Sequence, residues 1–147
     1  MIARARSGGH SGQVYVYGVP SMRHLSTIPV FTPYPATGYG FDDESKKMLG
    51  ELTWGDAHHP ALSETKGDYD GRWLFINEMH GRIARIDLRD FKTKQIIDLP
   101  NLGSSHGGCF VTPNSEYVHI SSMTPAPYLA EDGYAEEYED DLYSRYS

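Results

Sequence analysis

Polar and apolar residues alternate along QVYVYGV (13–19), and the segment is rich in β-branched and aromatic side chains, so the spacing predicts a strand. The same signal predicts strands at RWLFIN (72–77), RIARIDL (82–88), TKQIID (93–98) and EYVHISS (116–122). In RIARIDL the apolar residues Ile83, Ile86 and Leu88 do not alternate cleanly. The links EMHG and RDFK are short and turn-forming, which favours antiparallel neighbours over crossover helices. FTPYPATGYGFDDE (31–44) reads as a Pro/Gly-rich loop, and ALSETKGDYDGR (61–72) as polar and turn-like. Only DESKKMLGEL (43–52) offers helical content.

The order strand, turn, strand, turn, strand, loop and new start has a period. Trp73 and Tyr117 are 44 residues apart, close to the roughly 40–45 residues of a four-stranded propeller blade. The expected fold class is therefore all-β, a partial β-propeller with about two blades. Open sheets leave unpaired edges and stacked repeats need neighbours, so two blades do not close a ring by themselves.

Composition sharpens this only in places. Fifteen Gly and nine Pro spread along 147 residues suit strands joined by many turns. No stretch approaches the roughly 20 apolar residues that cross a bilayer. The opening MIARARSGGHSG has two arginines and no apolar run after them. It is not a complete secretory signal, and an exported parent protein would carry its signal upstream. With one cysteine, Cys109, no intrachain disulfide forms. The net charge of -7 is concentrated in residues 128–147, where seven acids meet one arginine. The chain accordingly divides into 1–127, the propeller part, and 128–147, an acidic segment. No basic footprint for nucleic acid is present.

Among seven histidines, His58 and His59 in WGDAHHPAL and His106 in GSSHGGCF stand out. Each site lies at the loop that opens a blade-like unit, and residues at matching blade positions converge on the ring axis. That is a geometric reason for histidines 47 residues apart to share a site. Imidazole binds copper, zinc, iron and nickel. Adjacent histidines converge only on irregular backbone, which Gly55 and Pro60 supply. Asp56 is placed to accept a second ring N–H and fix a tautomer. The small residues around His106 let a bulky centre approach the backbone. Taken alone, the spacing leaves ordinary loop histidines as the commoner reading. His80 reads as an exposed turn residue, His119 as structural, and Cys109 as a small packed residue. His10 and His24 receive no role.

The stretch GDAHHPALSETKGDYDGRWLFINEMHGRIARIDLRDFKTKQII resembles the start of the propeller domain of nitrous-oxide reductase. Upstream, SGQVYVYGVPSMRHLSTIPVF is similar to that family's lead-in segment, and downstream LPN is followed by the S-H-G of His106. The wording EMHGRIARIDLRDFKTKQI is closer to the second, atypical branch of the family. The resemblance covers about residues 11–122. It implies a seven-bladed propeller followed by a cupredoxin domain. It implies a tetranuclear copper-sulfide cluster held by seven histidines, with His58, His59 and His106 matching three of these ligands and Asp56 the carboxylate behind them. It further implies a dinuclear copper centre and calcium, with ligands outside this sequence. The implied enzyme is a periplasmic homodimer of denitrification. It takes electrons from cytochrome c or another small periplasmic donor and reduces nitrous oxide to dinitrogen and water. As a fragment, the chain is expected to be inactive alone. Two rival readings are a mononuclear zinc or copper enzyme using the same histidines, and a non-enzymatic propeller that serves as a binding platform.

Overall fold

The structure, a computed structural model, describes residues 2–99, 102 and 105–122. Three antiparallel sheets follow one another along the chain. The first orders β1 (Ile2–Ser7), β2 (Gln13–Val19) and β3 (His24–Pro29) side by side. β2 buries every second residue, with Val14 and Val16 on the covered face, so the alternation read from sequence becomes a core face. The β1–β2 turn passes through Gly9 and Gly12, both in the left-handed region at φ 56° and 64°.

After β3 the chain runs through a 3-10 turn at Pro35–Thr37 into helix α1 (Asp43–Leu49). The Asp42 carboxylate accepts the Ser45 N–H at 2.8 Å and caps its start. Gly50 ends it, at φ 66°. The helix thus begins where the sequence predicted and stops about a turn sooner.

The second sheet is a four-stranded meander: β4 (Ala61–Thr65), β5 (Asp68–Asn77), β6 (Arg82–Asp87) and β7 (Lys92–Asp98). Its three links are tight turns, as short connections require. The β6–β7 register shifts where Lys94 of β7 is passed over between the pairs Arg85–Gln95 and Ile86–Thr93, a bulge in β7, while β6 itself alternates with Ala84 and Ile86 on the core face. The third sheet is the pair β8 (Phe110–Val111) and β9 (Val118–His119).

The first two sheets share one core. Val14, Val16, Ile28, Val30 and Phe31 from the first pack with Leu74, Ile76, Ala84 and Ile86 from the second. At the far edge Thr93 Oγ1 donates to the Pro29 carbonyl at 2.7 Å, tying β7 to β3. The third sheet docks on β4 through its own turn: Ser115 Oγ accepts from Glu64 N and donates to Glu64 O, at 2.8 and 2.9 Å. Successive antiparallel sheets, packed in chain order, bear out an all-β, blade-like architecture that does not close into a ring.

Three expectations change. The stretch 61–72 is β4, a turn and the start of β5, not a polar loop. Its polar residues conceal the strand because one of them is internal: Ser63 is fully buried, and its Oγ accepts the Trp73 N–H at 2.8 Å and donates to Asp70. Residues 2–7 and 24–29 are strands that the sequence did not announce, since edge strands take their order from β2. Of 116–122, only Val118–His119 is ladder. The boundary at 127/128 and the acidic segment lie outside the described residues.

Candidate metal centre

β4 begins two residues after His59, and β8 begins four residues after His106. The histidines therefore stand directly at the entrances of the first strands of successive sheets, closer than the Trp73 and Tyr117 strands suggested. Short bridges carry the His58 segment into this position. Ala57 pairs with both Gly9 and Glu78, and its N–H donates to the Gly9 carbonyl at 3.0 Å. The His58 N–H donates to the Asn77 carbonyl at 2.9 Å, and the Met79 N–H to the Asp56 carbonyl at 3.2 Å. The end of β5 thus holds residues 56–58 as a one-step ladder.

The same end of β5 holds the His106 segment. The Ser105 N–H donates to the Met79 carbonyl at 3.2 Å. Asn77 Nδ2 donates to Ser105 Oγ at 2.6 Å, both side chains being fully buried. The Cys109 thiol donates to Asn77 Oδ1 at 3.5 Å. Burial pushes this thiol up to about 12, which fits a packed residue rather than a thiolate ligand.

These constraints bring His58 and His106 together, with ring centroids 4.4 Å apart. His58 is buried, whereas His59 and His106 are exposed. Backbone contacts draw the His59 segment towards residues 108–109. The Cys109 N–H donates to the His59 carbonyl at 3.4 Å, and a Cβ on Gly108 would stand 3.0 Å from His59 Cβ. A side chain there would push the two histidine-bearing segments apart. Among the described residues, no three His, Cys, Asp or Glu side chains form a group that could hold a metal ion.

Asp56 stands beside Nε2 of His58 rather than behind the ring, so the hydrogen bond expected from a second ring N–H to Asp56 is not made. Its Oδ2 is 3.9 Å from His58 Nε2, too long for a hydrogen bond, and 3.4 Å from Nδ1 of exposed His10. His58 Nε2 is consequently a buried nitrogen with no hydrogen-bond partner. Desolvation, opposed by Asp56 and reinforced by His106 and His59, lowers the His58 pKa. The ring is neutral at neutral pH and keeps a lone pair for a ligand role. An orphaned buried ring nitrogen beside a second imidazole fits a copper ion, which imidazole donors hold well.

Around this pair lies an ionic support that sequence reasoning missed. Glu78, fully buried, accepts from Arg82 N and Nε on Oε1, and its Oε2 meets His80 Nδ1 at 2.6 Å. Arg82 also donates to the Leu52 and Trp54 carbonyls at 2.7 and 2.6 Å. It thereby fixes the chain just before Gly55 and Asp56. Gly55 is required there, because a Cβ would come within 2.9 Å of Glu78 Oε2. His80, read as a merely exposed turn residue, is surface-lying yet bonded to Glu78 and edge-on to Trp54 at 5.0 Å. The Glu-x-x-x-Arg spacing was visible in the sequence, but its burial was not.

Antiparallel sheets stacked in sequence, with imidazoles at their entrances, define a protein of β-propeller type with a candidate metal centre at the strand mouths. Among curated proteins, the particular resemblance is to nitrous-oxide reductase. The chain is 45% identical over 127 residues to the nitrous-oxide reductase of Pseudomonas fluorescens and 43% identical over 127 residues to that of Stutzerimonas stutzeri, each match covering 83% of this chain and 20% of the relative. It is 40% identical over 109 residues to that of Ralstonia nicotianae, covering 69% of this chain and 17% of the relative. The chain therefore spans about a fifth of the length of the curated relatives it matches. No family model matches it.

Proposed function

We propose that this chain forms the N-terminal part of the propeller of a copper nitrous-oxide reductase of the atypical branch. In this reading His58, His59 and His106 are three of the imidazoles that hold a sulfide-bridged tetranuclear copper cluster, and Asp56 supports His58. The observation that carries it is the buried, unpartnered Nε2 of His58 beside the ring of His106. The ordered similarity to nitrous-oxide reductases supports the same assignment.

When bound, the cluster supplies electron-rich metal able to reduce nitrous oxide, a poor ligand, to dinitrogen and water with two electrons and two protons. This chain's residues position and tune it. His58 offers a neutral donor from a buried site. The Asp56 carboxylate places negative charge 3.9 Å from His58 Nε2. Gly107 and Gly108 leave the backbone beside His106 uncrowded. The dinuclear copper centre and calcium of the complete enzyme are held by residues beyond this chain. Its setting is the periplasm, as a homodimer fed by cytochrome c or a similar small donor. Three imidazoles do not complete the cage, so the 147 residues alone are inactive.

The test is copper content, sulfide-to-copper absorption and nitrous-oxide reduction in the enzyme carrying this sequence, with His58→Ala and His106→Ala beside the wild type. Each substitution is expected to abolish the absorption band and at least 10-fold of the activity while circular dichroism is retained. Variants that keep wild-type copper, spectrum and turnover would overturn the assignment and favour a propeller that only binds. A single zinc and no such band in the wild type would favour the mononuclear enzyme.

A further inference from the structure

The geometry points to Asn77 as the positioning residue that sets the separation of His58 and His106, an inference that rests on the reading of these histidines as copper ligands. Asn77 is the last residue of β5 and is fully buried. Every polar group it presents on this side is spent on one of the two histidine-bearing segments. Its carbonyl accepts the N–H of His58 itself at 2.9 Å. Its Nδ2 donates to Oγ of Ser105, the residue before His106, at 2.6 Å. Its Oδ1 accepts from the Cys109 thiol at 3.5 Å, on the other side of the same segment.

Asn77 is thus a two-sided clamp. The main chain fixes the 56–58 segment, and the amide side chain fixes 105–109. The two histidines are 48 residues apart in sequence, with ring centroids 4.4 Å apart in space. One hydrogen-bonded path between their backbones runs from His58 N through Asn77 to Ser105, with shorter bonds than the parallel backbone bridges through Met79 and between His59 and Cys109. A carboxamide suits this position for a chemical reason. It donates with one end and accepts with the other, while its main chain stays in the ladder. A leucine of similar size would keep the main-chain bond to His58 and lose the hold on Ser105. The His106 segment would then be set only by the Ser105–Met79 and Cys109–His59 backbone bonds, at 3.2 and 3.4 Å.

The experiment uses the copper-loaded enzyme carrying this sequence, with Asn77→Leu, Ser105→Ala and the ligand control His58→Ala. Three readouts are taken: copper stoichiometry, the position of the sulfide-to-copper absorption band, and the rate of copper loss to a chelator. Asn77→Leu and Ser105→Ala should each assemble the cluster with a shifted band and lose copper about 10-fold or more faster. Ser105→Ala removes one oxygen and decides the matter if Asn77→Leu does not fold. If His58→Ala loses the band while Ser105→Ala keeps the wild-type band and copper retention, Asn77 is not a positioning residue and the ligand reading stands. If His58→Ala also leaves copper and band unchanged, the ligand reading itself falls.

Discussion

Asp87, at the end of β6, accepts from Arg89 through both carboxylate oxygens, with Nη2–Oδ2 at 2.5 Å, and from the Arg89 N–H at 2.9 Å. The carboxylate is buried although its partner is exposed. The Arg89 side-chain bonds, then its backbone N–H, hold the Asp87 carboxyl well below the usual carboxylate range. A depressed folded-state value means that the stabilisation is complete above the unfolded value of about 3.9 and is lost as pH falls towards the folded one. Asp87→Asn should therefore lower the urea midpoint at neutral pH, and its deficit should shrink steadily below about pH 4. A deficit that grows on acidification would contradict the pairing. At the same scale, the three candidate ligands differ in environment. His58 is dry and unpartnered, while His59 and His106 face solvent. Sequence singled out all three as candidates by their blade positions and the family resemblance but could not rank them, because burial is set by segments remote in the chain.

The β5–β6 hairpin is the element on which the site depends. Its turn residues Asn77 to Arg82 contact both histidine-bearing segments and the approach at 52–54. Removing Arg82 leaves Glu78 charged, buried and short of a partner, which typically costs about 3–5 kcal/mol. Arg82→Met should lower stability by that order. The double variant Glu78→Leu/Arg82→Met should be distinctly less destabilised than the two single effects added, since no uncompensated charge remains. Additive losses in urea denaturation would argue against a coupled pair. The strand signals of RWLFIN and RIARID were strong enough to place this hairpin from sequence, because β-branched and aromatic residues reach both faces of a covered strand. β1, β3 and β4 were not, because their order comes from pairing with a neighbour.

At the scale of the molecule, the first two sheets share one buried core. Ile76, fully buried, sits among side chains from both. Ile76→Ala should cost about 2–5 kcal/mol through lost burial and a residual cavity. Tryptophan fluorescence and far-ultraviolet circular dichroism should still report a single shared transition in urea. Two separated transitions would mean that the sheets fold independently. This shared core lies behind the His58 and His59 entrance and includes Ala57, whereas His106 is held by the hydrogen bonds of its segment to Asn77 and Met79.

The sequence by itself determined the strand-rich class, three of the four strands of the second sheet, the start of the helix at Asp43 and the imidazoles that are candidates for a metal. These follow from local periodicity, turn chemistry and residue type, which are properties of short windows. Only the tertiary structure decided that 61–65 is a strand with a serine at its core, and that Asn77 joins residues 58 and 105. It also decided that a glutamate and an arginine from a surface-looking turn are buried together, and that His58 rather than His59 is the enclosed imidazole. These depend on desolvation and on hydrogen bonds between segments that local pattern does not connect, such as Asn77–Ser105 and Lys66–Asn114, 28 and 48 residues apart. A local pattern carries no information about which distant donor will exclude water from a given side chain.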